Sequence, residues 1–258
     1  MPFPDSARTI FRRNPIEEVI CQLRFPPILR LEAEAPAAFQ QRIRTEYPLY
    51  EEGPVGQAQP GIPTEVLRLL NAPTQRNFLS DDRLWAVSLT RDFIALTAQS
   101  YDRWEGFRRH WEVVLAAFQA EYAPSFYSRI GLRYRNVIKR SELGVDGVGW
   151  DQLLTPQIAA EYGSESVRAD IRQSGHQIVF SLGNDRVAQL RHGLTVGEGT
   201  GNETCYTIDA DLYTTARTEP NDVDAILNDF NEQARRLFSW CISRQLHEAL
   251  QPEPVAAR

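Results

Sequence analysis

Residues 14–28 read NPIEEVICQLRFPPI. Val19, Cys21, Leu23 and Phe25 alternate with Ile20, Gln22 and Arg24, the period-two pattern of a strand with one apolar and one mixed face. Pro26 and Pro27 stop it, because proline cannot donate to a sheet ladder. Residues 128–138, SRIGLRYRNVI, alternate in the same way, with Ile130, Leu132 and Tyr134 on one side and Arg129, Arg133 and Arg135 on the other. These two strands set the architecture. Each opens a run in which the hydrophobic period changes to helical, back to strand, and to helical again.

After the first strand, Pro36 suits the first turn of a helix that carries Phe39, Ile43 and Tyr47 on one face, and Pro48 ends it. PLYEEGPVGQAQPGIP, residues 48–63, is rich in Pro and Gly and reads as a loop. Strands are expected at EVLRLLN, NFLSDD, RLWAVSLT and DFIALTAQS, the last two joined by a tight turn at Arg91-Asp92. From Trp104 the period becomes helical, with Phe107, Trp111, Val114, Leu115, Phe118 and Tyr122 on the same stripe.

The second half repeats this order. Short helical segments at WDQLL and TPQIAAEY precede strands at SVRADIRQ, HQIVFSLG, VAQLRHGLTV and ETCYTIDADLYTT. A final helix is expected over residues 221–250, with Asn221 as N-cap and a length of about 45 Å at the usual rise per residue. The expectation is an α+β fold of two tandem β-α-β(3–4)-α halves, residues 14–127 and 128–250, with antiparallel sheets covered by long helices. The order is that of helix-grip or TATA-binding-protein-like topologies, an analogy of fold that carries no function.

The NPIEEV and LRF segments of the first strand, the RIGLRY segment of the second and the C-terminal aromatic helix together resemble a sporadically distributed, uncharacterised bacterial protein family. The resemblance covers most of the chain. It implies a bacterial cytoplasmic protein and carries no activity with it.

Composition narrows the function classes. The chain has 258 residues, 42% of them hydrophobic, and a net charge of −6, which argues against a general nucleic-acid coat because such binding needs excess cations against phosphates. Of 28 basic residues, Lys139 is the only lysine. Cys21, Cys205 and Cys241 are far apart, without metal spacing, and read as buried thiols of a reducing compartment. The opening residues lack the apolar core of a signal peptide, and no apolar run has membrane-spanning length, so a cytoplasmic protein with no membrane association is expected.

Chemistry is harder to find. Asp209 and Asp211 share a face of YTIDADLYT and could hold a divalent cation with a third oxygen ligand, yet no His or Glu stands at ligand spacing and basic neighbours on adjacent strands account for them. His110, His176, His192 and His247 are scattered outside any zinc pattern. Cys205 and His192 could meet across a hairpin, though a buried strand cysteine explains the thiol. Gly197, Gly199 and Gly201 precede a strand rather than a helix and so read as a hairpin tip, not a phosphate loop. Arg24, Arg129, Arg133 and Arg135 remain as candidate binding residues, sharing one surface if the two opening strands pair. Either internal carboxylates or an external anion must then offset their mutual repulsion.

The expected function is therefore a non-catalytic binding or assembly module with a protein partner or self-association, no cofactor and no metal. Two alternatives stay open. One is a small-ligand-binding protein or enzyme with a cavity between sheet and C-terminal helix, taking a small anionic ligand. The weaker one is an arginine-mediated nucleic-acid contact.

Overall fold

A computed structural model describes residues 2–54, 74–196 and 203–254. Its strands are β1 (Thr9–Phe11), β2 (Ile16–Arg24), β3 (Leu49–Pro54), β4 (Thr74–Leu79), β5 (Trp85–Leu89), β6 (Phe93–Ala98), β7 (Arg129–Ile138), β8 (His176–Gly183), β9 (Arg186–Val196), β10 (Thr204–Thr214) and β11 (Pro252–Pro254). Its helices are α1 (Arg30–Ala33), α2 (Ala37–Ile43), α3 (Trp104–Tyr122), α4 (Arg140–Leu143), α5 (Trp150–Leu153), α6 (Val223–Cys241) and α7 (Arg244–Ala249). The fold is α+β, and the strand pairs whose register is resolved are antiparallel. Among the described residues, no helix is long and apolar enough to cross a membrane.

The chain divides into two compact units. The first comprises Met1–Glu18, Leu132–Thr214 and Leu227–Arg258, and the second Val19–Gly131 and Thr215–Ile226. The strands β2 and β7, and the helix α6, contribute residues to both.

In the first unit the strand order is β7-β10-β9-β8, with β8 as the terminal strand, and β1 pairs separately with β11. β8 and β9 are joined at Asn184-Asp185, both at positive φ (52° and 56°), the left-handed pair that a two-residue hairpin turn demands. Alternation sorts the side chains cleanly. Ala188, Leu190, His192 and Leu194 of β9 and Tyr206, Ile208, Ala210 and Leu212 of β10 are buried on one face. Against that face α6 brings Leu227, Phe230, Ala234, Leu237 and Cys241, all buried. Tyr134 reaches α6 by donating its hydroxyl to Asn231 Oδ1 at 2.9 Å.

In the second unit the order is β3-β4-β5-β6-β2. Val19, Cys21 and Leu23 of β2 are fully buried, opposite Ala98, Leu96 and Ile94 of β6. The helix α3 buries Phe107, Trp111, Val114 and Phe118, with Phe118 against Phe25 at 4.9 Å between ring centroids and Phe107 against Trp85 at 5.8 Å. Apolar burial of this kind is the main favourable term in folding.

Three expected elements differ. The segment SVRADIRQ forms successive turns rather than a strand: Ser164 O accepts from the N–H groups of Val167 and Arg168, and Val167 O accepts from Asp170 N–H. With Val167 48% exposed, alternation there never finds a core to bury against. The helix expected over 221–250 is broken at Ile242-Ser243. Ser243 N–H bonds to Leu153 O, Ile242 bridges to Leu154, and the Ser243 hydroxyl caps α7 through Leu246 N–H at 3.2 Å. Finally, the start of PLYEEGPVGQAQPGIP is the strand β3, paired in register with β4. The rest of that stretch, the expected strand EVLRLLN and the glycines at 197, 199 and 201 lie outside the described residues.

Candidate functional site

The polar face of the first unit's sheet is built by alternation. Opposite the helix-covered side, β10 presents Thr207, Asp209 and Asp211, and β9 presents Gln189 and Arg191 in register with them. Arg133 of β7 donates Nε and an Nη to the two oxygens of Asp209 at 2.7 and 2.8 Å, a two-pronged charge-assisted pair. Glu18 lies 3.8 Å from the same guanidinium, and Arg191 lies 3.7 Å from Asp209. The Asp209 bond raises the affinity of Arg133 for its proton. The Asp209 carboxylate is thus committed to arginine. Among the described residues, no group of three or more His, Cys, Asp or Glu side chains is arranged to hold a metal.

A second charge cluster forms where β2 begins and β7 ends. Glu17 accepts from Arg135 at 3.2 Å and from Lys139 at 2.9 Å, and Lys139 also lies 3.4 Å from Glu142. The Glu17 bond raises the Lys139 pKa and keeps the chain's one lysine an ammonium. A cavity of ≈ 200 Å³ opens here, lined by residues that include Arg13, Asn14, Pro15, Lys139 and Glu142. No α6 residue is in its lining.

The four candidate arginines therefore stand as follows. Arg133 and Arg135 lie in the first unit, each with a carboxylate partner. Arg24 and Arg129 lie in the second: Arg24 is 5.9 Å from the centroid of Phe93, and Arg129 donates to Gln22 Oε1 at 3.2 Å.

A further group in the first unit escaped the sequence reading. His192, 6% exposed, has Nδ1 2.7 Å from the Tyr206 hydroxyl. Directly across the hairpin His176 stacks on it, with ring centroids 5.0 Å apart, and His176 Nε2 lies 2.7 Å from Glu161. Trp150 and Tyr162 pack against Tyr206, and the Tyr162 hydroxyl bonds to Ser174. Burial, with a contribution from His176, pushes the His192 pKa down to about 4, and burial raises that of Tyr206. Scattered in sequence, these groups share no spacing signal; only the His176–His192 pairing, which follows from the β8–β9 hairpin register, was within reach. Cys205 lies on the opposite face from His192, next to Thr195, and its thiol contacts Glu203 O at 3.6 Å. Burial raises the pKa values of Cys21 and Cys241, which disfavours the reactive thiolate.

Comparison of the chain with protein-family models, with curated proteins and with solved structures found no match.

Proposed function

We propose that the chain is a non-catalytic bacterial cytoplasmic module for binding or assembly, related to the proteins that share the NPIEEV and RIGLRY segments. In this proposal the two runs of residues, 14–127 and 128–250, are tandem copies of one β-α-β(3–4)-α plan. Their element order supports this, since each has an opening strand, short helices, an antiparallel meander and a 19-residue helix. The observation that carries the functional reading is the sheet face of the first unit opposite α6. Val179 is 58% exposed there and Arg191 is exposed beside it, while Arg133 and Asp209 hold each other in a fixed geometry. A stiff, partly apolar surface with its charges already oriented loses little entropy on docking a partner.

A photo-crosslinking residue placed at Gln189 tests this. Adducts to a macromolecule are expected there and not from the same residue placed at exposed Arg244. Absence of adducts at Gln189 would remove the support. A second reading, recognition of a small anionic ligand, draws on the ≈ 200 Å³ cavity beside Arg13 and Lys139. Nucleic-acid contact is less supported, because the carboxylates of Asp209 and Glu17 already occupy Arg133 and Arg135.

A further inference from the structure

The two terminal strands differ in how they are protected. β3, the terminal strand of the second unit, carries Glu51 and Glu52 and ends in Pro54. Acidic residues and proline are the usual means by which an edge resists pairing with another chain. β8, the terminal strand of the first unit, reads HQIVFSLG and contains no Asp, Glu, Lys, Arg or Pro. Its only irregularity is a register shift between Ser181 and Gly183. Among the described residues, its outer edge has no backbone hydrogen-bond partner.

β8 is also incompletely covered. β9 buries Ala188, Leu190, His192 and Leu194 on its inward face, but none of the eight residues of β8 is buried. Ile178 and Phe180, in register with buried Leu190 and Ala188, point to the α6 side, where Phe180 meets Phe3 and Trp240, yet both stay partly exposed. The apolar row is thus only partly covered.

We propose that β8 pairs antiparallel with β8 of a second copy of this chain, a deepening of the assembly reading above. Twofold symmetry about an axis through the sheet keeps the helix-covered faces of both copies on the same side, so inward residues must meet inward residues. With the axis at Val179, that residue faces its own counterpart, and Ile178 meets Phe180 of the other copy. The identical strands bring no like charges together, whereas two copies of β3 would set glutamates against glutamates. A copy of itself is favoured over an unrelated strand because one uncharged, self-complementary sequence satisfies both edges at once.

Sedimentation velocity on the full chain, from about 1 to about 100 µM, is the test, with Val179→Lys and Val179→Glu as variants. Both substitutions fall on an exposed side chain, and circular dichroism checks that each folds. The wild type is expected to dimerise across this range, each variant alone to bind itself at least about tenfold more weakly, and the mixture of the two variants to regain the dimer. Should one variant fail to fold, hydrogen exchange of the wild type gives the same answer, as the β8 amides are expected to gain protection with concentration. A wild type that stays monomeric overturns the proposal, and so does a dimer indifferent to both variants. Either result leaves the broader binding reading to the Gln189 crosslinking experiment, where adducts to a macromolecule other than this chain would still support it.

Discussion

His192 offers a sharp quantitative test because its burial makes the fold sensitive to acid. In the unfolded chain its imidazole titrates near 6.5, whereas in the folded chain burial depresses this to about 4. The unfolded state therefore binds the extra proton between these values, and stability falls as pH drops through 6.5, with the loss complete near the folded value. Over the interval from about pH 7 to about pH 5 the two titrations give a loss of about 2 kcal/mol. Glu161 and Glu203 have lowered pKa values and hold their contributions until the pH falls below 4.5, outside that interval. His110 is also depressed by burial and adds a slope of the same sign. Urea unfolding of the wild type and of His192→Gln at both pH values separates the two. The wild type is expected to lose about 2 kcal/mol more than the variant. Superimposable pH dependences would mean that His192 is hydrated in the folded state, and that the Tyr206–His192–His176 stack is not the closed group described above.

Three other substitutions probe the architecture. Asp209→Ala leaves the Arg133 guanidinium, one-third exposed, with the more distant Glu18 at 3.8 Å, so its cost should fall below that of a fully buried broken pair, at about 2–3 kcal/mol. A double-mutant cycle with Arg133→Met should recover a coupling of at least about 1 kcal/mol. Trp111→Ala should cost about 3–5 kcal/mol in chemical denaturation, since the ring is 1% exposed on the inner stripe of α3. Trp111→Phe should cost less, because it also removes an indole N–H that has no hydrogen-bond partner among the described residues. Gly193→Ala should destabilise by at least about 1 kcal/mol in the same assay, as a Cβ at this positive-φ position would collide with the Ser174 carbonyl; an unchanged midpoint would place the segment before β8 elsewhere.

Much of the α+β fold was legible because its strands and long helices bury one face, and one-sided burial writes a period into the sequence. The inner residues of β2, those of β7 and the stripe of α3 follow their alternation directly. The missed elements depend on contacts that no local period records. SVRADIRQ alternates as a strand would, but its N–H groups are taken by turns begun at Ser164. The continuous apolar stripe from Val223 to Leu246 hides the break at Ser243, which exists because Leu153 and Leu154 compete for the backbone there. The site was legible only in part. Arg133 and Arg135 were visible as an arginine-bearing face, but their pairing with Asp209 and Glu17 arises from tertiary placement of residues far apart in the chain.

Native mass spectrometry of the purified chain tests the central claim most directly. A non-catalytic assembly module should appear as dimers or higher multiples of the chain, or bound to another macromolecule, with no small molecule retained at one per chain. A stoichiometric small-molecule adduct that survives gentle desolvation would contradict the account and move the function to a ligand-binding cavity.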